Sequence, residues 1–129
     1  MSAVAPEQEA IVRFLESPAA HGGAPVERVD THISHIFLAG ARALKLRRAV
    51  RTNFLDFSSV ARREAACRRE LEVNGAARGL YRRARAVTRG PDGALALDGD
   101  GAAVDWVTEM ARFDRETEFD RLAERGALD

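Results

Sequence analysis

The feature that most constrains this chain is a pair of β-forming runs separated by one glycine-containing turn. Ile33 to Leu38 is strongly β-forming, Ala39-Gly40-Ala41 supplies a tight turn, and Arg42 to Arg48 runs back. Two antiparallel strands follow. Side chains alternate along a strand, so Leu44 and Leu46 point to one face, while Ala43, Lys45 and Arg47 point to the other. Lys45 is the single lysine among twenty basic residues, and a lysine set between two leucines on a strand calls for an explanation.

The rest of the chain reads around this hairpin. Pro6 to Leu15 predicts a short helix, with Ile11, Val12, Phe14 and Leu15 giving an apolar side and Pro6 suited to the first turn. Ser17 to Pro25, with His21-Gly22-Gly23 inside it, predicts a linker, and Val26 to Asp30 a strand. The hydroxyl of Ser58 or Ser59 can cap a long helix running to about Asn74, where Gly75 offers a stop. Leu80 to Thr88, Ala94 to Leu97 and Ala102 to Phe113 predict strands around the turns Gly90-Pro91-Asp92-Gly93 and Asp98-Gly99-Asp100-Gly101. Arg115 to Arg125 predicts a short terminal helix, with Phe119 and Leu122 on one side. The expected fold is therefore α+β: an antiparallel sheet of five to six strands, one long packed helix, and short helices near the two ends. Residues 1–25 form the N-terminal helix and linker, and residues 26–129 form the sheet domain.

A length of 129 residues suits one core rather than two lobes. Of the apolar residues 24 are alanine, so the core is modest. Twenty basic and twenty acidic residues cancel, which argues against a nucleic-acid partner or an anionic membrane surface. One cysteine, Cys67, cannot form an intramolecular disulfide, and no Cys/His cluster has zinc-ligand spacing. Met1 to Gln8 lacks the basic start and apolar stretch of a signal peptide, and no run of ~18 apolar residues occurs. A cytoplasmic protein is the expectation. His32 and His35 fall on opposite faces of a strand, which argues against a metal pair.

Three segments, in order, carry a resemblance. They are Thr31-His32-Ile33-Ser34-His35-Ile36-Phe37-Leu38 with Ala43-Leu44-Lys45-Leu46; Asn53-Phe54-Leu55-Asp56-Phe57-Ser58 with Glu70-Leu71-Glu72-Val73-Asn74; and Val104 to Phe113. Together they resemble the small N-terminal lobe of aminoglycoside-phosphotransferase-like and protein-kinase-like domains, of the type found ahead of a P-loop ATPase domain in bacterial proteins. The resemblance covers about Val26 to Leu128 and rests on the three segments together, since each alone is weak.

Several roles are implied by it. Lys45 matches the strand lysine that contacts nucleotide phosphates, where an ammonium is a compact point charge. The plain alternative is a solvated strand lysine. Such a lysine is usually oriented by a glutamate of the long helix: Glu70 matches by motif, and Glu64 is a rival because Val60, Glu64, Cys67 and Leu71 share a helix face. Either glutamate can instead pair with Arg63, Arg68 or Arg69 on a solvated face. Thr31 to Ser34 takes the place of the phosphate-covering hairpin, Thr31 and Ser34 offering hydroxyls. Glu109-Met110-Ala111 matches the linker whose backbone bonds the adenine. Trp106 and Met110 read equally well as core.

The chain also departs from the pattern. It has neither the G-x-G-x-x-G loop nor the Walker motif, and nothing after Phe113 resembles the lobe that carries the catalytic aspartate and the magnesium ligands. The implied cofactor is ATP, with magnesium supplied by that missing lobe. Two functions are consistent with this: the nucleotide-binding part of a small-molecule phosphotransferase, not competent alone, or a stand-alone binding or dimerisation module of the same shape. Either one expects exposed apolar surface for self-association, or for docking to a C-lobe or ATPase domain.

Overall fold

The computed structural model describes residues 4–78 and 81–112. Its elements, in chain order, are α1 (Glu9–Glu16), β1 (Glu27–Asp30), β2 (Ser34–Ala39), β3 (Arg42–Arg47), α2 (Val60–Arg78), β4 (Tyr81–Arg89), β5 (Leu95–Leu97) and β6 (Ala102–Ala111). The six strands form one antiparallel sheet in the order β1-β2-β3-β6-β4-β5. This is the α+β architecture expected from the sequence. The terminal helix expected over Arg115 to Arg125 lies outside the described residues.

The hairpin at the centre forms as its turn chemistry requires. Ala39 pairs with Arg42, and Gly40 sits at φ +59°, a left-handed conformation that glycine reaches without steric cost. At the other hairpins Gly101 packs directly on β4: a Cβ there would lie 1.9 Å from the Arg89 carbonyl oxygen. β6 enters the sheet between β3 and β4, so the last strand completes the middle of the sheet.

Each face of the sheet is closed by a helix. On one face Ile11, Val12 and Leu15 of α1 pack with Phe37, Leu44, Leu46, Val87 and Val107. Pro6 opens the 3-10 turn that leads into α1, and the Arg28 guanidinium on β1 reaches Glu16 at the helix end, 3.3 Å away. On the other face Val29, Ile36, Leu38, Ala43, Tyr81 and Met110 pack together with Leu71 of α2, a helix that lies over β4 and β6. The hydroxyl of Ser59 accepts the Arg62 amide and caps α2. Gly75 does not end α2, which continues to Arg78. An interior glycine costs a helix only about 1 kcal/mol, and the two alanines that follow are the best helix formers.

Candidate functional site

The register of the sheet determines what shares a face with Lys45. Lys45 stands opposite Ile36 on β2 and Thr108 on β6, and Arg47 stands opposite Ser34. Directly opposed residues of antiparallel strands share a face, so Ser34, Lys45, Arg47 and Thr108 all point toward α2. From α2 come Arg63, Cys67 and Glu70, spaced by four and three residues and therefore on one stripe of the helix. All seven are buried.

The centre of this layer is the Glu70 carboxylate. Lys45 Nζ donates to its Oε2, and Arg47 Nη2 donates to its Oε1 at 2.9 Å. Arg47 Nη1 lies 3.3 Å from Thr108 Oγ1 and 3.5 Å from Cys67 Sγ. The Lys45 ammonium, 2% exposed, sits 6.0 Å from the centre of the Tyr81 ring. Burial pulls its pKa below the ordinary lysine value; Glu70 opposes that shift and Arg47 adds to it. The Cys67 thiol is pushed up by the same burial, which makes it a poor nucleophile.

A second buried group holds the end of the sheet. Asp105 accepts from Arg63 Nε at 2.8 Å through one oxygen and from Gln8 Nε2 at 2.9 Å through the other. Gln8 also donates to the Arg47 carbonyl and accepts from the Ala49 amide, each at 2.9 Å. The N-terminal segment, β3, β6 and α2 thus meet in one hydrogen-bonded network.

The residues singled out from sequence are distributed as follows. Lys45 and Glu70 come together, whereas Glu64 pairs with Arg68 at 3.0 Å on the outer surface. Ser34 lies on the Lys45 face, and its buried hydroxyl has no hydrogen-bond partner among the described residues. Thr31 spends its hydroxyl inside its own turn, where it accepts the Ser34 amide at 3.0 Å. Met110 packs in the core opposite Ala43, two residues along from Lys45. Glu109 points to the other face, where Arg85 holds its carboxylate at 3.1 Å. The main chains of Glu109 and Met110 are flanked by both β3 and β4, while Ala111 pairs with Arg42 on β3 and lies beyond the start of β4. Trp106 is partly buried, with the Arg68 guanidinium 5.1 Å from its ring centre. His32 is exposed, and His35 is buried with Nδ1 on Asp30 at 2.8 Å, so the two do not converge.

Among the described residues no three His, Cys, Asp or Glu side chains gather into a metal site. Likewise, no helix among them is long and apolar enough to cross a membrane. A groove of about 310 Å³ lined by Val26, Glu27, Leu38, Gly40 and Arg112, among others, lies at the end of the sheet that holds the β2–β3 turn, and none of the Lys45 cluster lines it. Sequence reasoning did not single out Arg47 as a second partner of Glu70. The available signal was its position two residues after Lys45, on the same face of the same strand.

Comparison with known proteins reaches part of the chain. A stretch of 45 residues, 35% of the chain, is 47% identical to Mb2027c of Mycobacterium bovis and to MT2060 and Rv2004c of Mycobacterium tuberculosis, each named only as an uncharacterized protein. That stretch is 9% of the length of each relative. No family model and no solved structure matches the chain.

Proposed function

We propose that the chain is the ATP-binding N-lobe of a small-molecule phosphotransferase of the aminoglycoside-phosphotransferase-like type, dependent on a further lobe for catalysis. The observation that carries this reading is the pair between Lys45 on the third strand and Glu70 on the helix that follows. Kinases place a strand lysine and a helical glutamate in this relation, so that the ammonium is aimed at the α- and β-phosphates of the nucleotide.

The chemistry available on the Lys45 face suits a polyphosphate. Two cations, Lys45 and Arg47, meet at the Glu70 carboxylate, and the Ser34 hydroxyl on that face has no hydrogen-bond partner among the described residues. ATP would place its phosphates there and its adenine along the main chain of Glu109 to Ala111, the linker position that the resemblance implies. Bound magnesium would neutralise phosphate charge, its ligands coming from the further lobe. Transfer of the γ-phosphate to a hydroxylated acceptor also needs the base of that lobe.

A second reading is favoured by one observation, the 2% exposure of Lys45. A phosphate reaches Nζ only if the packing around it rearranges. A non-catalytic binding or dimerisation module of the same shape has no need of that rearrangement, and Phe54, 93% exposed, offers it a contact.

Titration calorimetry with ATP and magnesium separates the two. The phosphotransferase reading expects weak binding that drops at least about tenfold, ~1.4 kcal/mol, in Lys45→Ala, with circular dichroism confirming that the variant is folded. Equal binding by wild type and variant, or no heat from the wild type, decides for the module.

A further inference from the structure

The two cations that share Glu70 hold it in different ways. Arg47 presents a planar fork whose second nitrogen is engaged by Thr108 Oγ1 at 3.3 Å and Cys67 Sγ at 3.5 Å. Its guanidinium carbon lies 5.7 Å from the centre of the Phe57 ring, and its main-chain carbonyl accepts Gln8 Nε2 at 2.9 Å. β3, β6, α2 and the segment ahead of α2 therefore all contribute to fixing this one side chain. Lys45, by contrast, ends in a compact ammonium on a flexible stem, a group that can exchange one oxygen partner for another by rotation of that stem. Glu70 itself sits in the middle of α2, 8% exposed, where a carboxylate deprived of every cation would be strongly destabilising.

We propose that Arg47 is a positioning residue: it holds Glu70, and through it α2, against the sheet independently of Lys45, so that the lysine ammonium can turn to an anionic ligand without undocking the helix. The clamp stands on the geometry alone, and only the ligand clause rests on the phosphotransferase reading. Where a lysine is the sole partner of such a glutamate, ligand capture and helix docking draw on the same ammonium. Here they are separated. Arg63, which bonds Asp105 at 2.8 Å nearly two turns earlier in α2, secures the same helix at a second point, so α2 is a fixed wall of the site and not a switch that ligand binding throws.

Amide hydrogen exchange on the intact chain tests the clamp. In Lys45→Met, α2 amides around Cys67 to Leu71 keep their wild-type protection; in Arg47→Met they exchange at least about tenfold faster; Arg47→Lys, which retains a cation, recovers most of the protection. Thr108→Val, which removes one Arg47 contact and leaves the guanidinium in place, gives an intermediate rise and stands in if Arg47→Met fails to fold. A second readout follows the lysine itself: the side-chain ammonium titration of Lys45, followed by NMR, moves upward in Arg47→Met because a neighbouring cation is gone and Glu70 is no longer shared, and Arg47→Lys reverses the move. Equal protection loss in Lys45→Met and Arg47→Met, or an unmoved Lys45 titration, overturns the proposal.

Inorganic tripolyphosphate, titrated into the same variants, tests the ligand clause. Binding abolished by Lys45→Met and weakened about tenfold by Arg47→Met supports it. If Lys45→Met binds tripolyphosphate like wild type, or wild type does not bind, the phosphate role of Lys45 fails while the exchange data still judge the clamp. If Lys45→Met abolishes binding and Arg47→Met leaves it unchanged, the phosphate role survives and the positioning role fails.

Discussion

The two faces of the sheet are closed by helices of opposite character. α1 presents Ile11, Val12 and Leu15 to an apolar layer, and its contacts are interchangeable in kind: any well-fitting hydrocarbon contributes. α2 presents Arg63, Cys67 and Glu70, and its contacts are specific pairs, each carboxylate matched to named cations. An apolar face provides most of the driving force for folding without dictating where a helix sits to within one residue. A face of buried pairs adds little net stability over an apolar one, because desolvation offsets the Coulombic gain, but it penalises every wrong placement. The face that carries Lys45 is the one built for placement.

The largest expected effect tests that contrast directly. Asp105→Ala leaves Arg63, 2% exposed, without its carboxylate and Gln8 without one acceptor, and is expected to lower stability by about 3–5 kcal/mol. The joint replacement Arg63→Met with Asp105→Leu removes both charges and is expected to recover most of that loss. On the opposite face Leu15→Ala opens a cavity costing about 2–5 kcal/mol. Urea unfolding of the variants gives the comparison. A double variant less stable than either single one would mean that the polar face depends on the pair itself, and the contrast between the faces would fail.

The same contrast explains what could be read from the sequence. The β2–β3 hairpin was legible because Gly40 and the alternation of Leu44 and Leu46 against Ala43 and Lys45 are local signals. α1 was legible from its apolar side. The insertion of β6 between β3 and β4 was not, since periodicity marks a strand without naming its neighbours. α2 was found through a cap expected at Ser58 or Ser59, yet its inner stripe was only half legible: Val60, Glu64, Cys67 and Leu71 were expected to share a face, whereas the buried charged residues of the described part of α2 are Arg63 and Glu70. A helix that buries charge offers no hydrophobic period to read. Glu70 was reached through a family motif, and Arg47 was not reached, because on a strand an arginine that closes a buried pair looks the same as one that faces water.

A smaller effect comes from the α1 side of the sheet, where His35 is buried near the apolar layer. His35 Nδ1 bonds Asp30 at 2.8 Å, while its buried Nε2 has no hydrogen-bond partner among the described residues. Burial lowers its pKa below the ordinary 6.5, with Asp30 opposing the shift and Arg28 and Arg48 reinforcing it. Between the folded value and 6.5 the unfolded chain binds more protons than the folded one, so stability rises with pH across that window and falls on acidification from about 6.5. His21, shifted the same way chiefly by burial, adds to the slope. The Asp30 carboxyl, held below its ordinary 3.8 although burial alone would raise it, affects stability only at more acid pH. His35→Asn, neutral at every pH, should therefore flatten the stability profile just below pH 6.5 by up to about 1.4 kcal/mol per pH unit, as followed by urea midpoints. An unchanged slope would mean that the ring takes up its proton equally in the folded and the unfolded chain over that range, and that His35 does not couple folding on the α1 side to pH.

The smallest effect compares two glutamates on one helix. Glu64 and Glu70 lie six residues apart on α2, yet Glu64 pairs with an exposed Arg68 at 3.0 Å, whereas Glu70 is enclosed between Lys45 and Arg47. An exposed i,i+4 pair contributes about 0.3–0.5 kcal/mol, so Glu64→Ala should lower the urea midpoint slightly, and ~1 M salt should erase the difference by screening. Salt has little access to the enclosed pair, so the cost of Glu70→Ala should persist at the same ionic strength. A Glu64→Ala loss above about 1 kcal/mol that survives high salt would place Glu64 in the buried layer with Glu70, and the division of α2 into an inner face that positions and an outer face that is merely solvated would not hold.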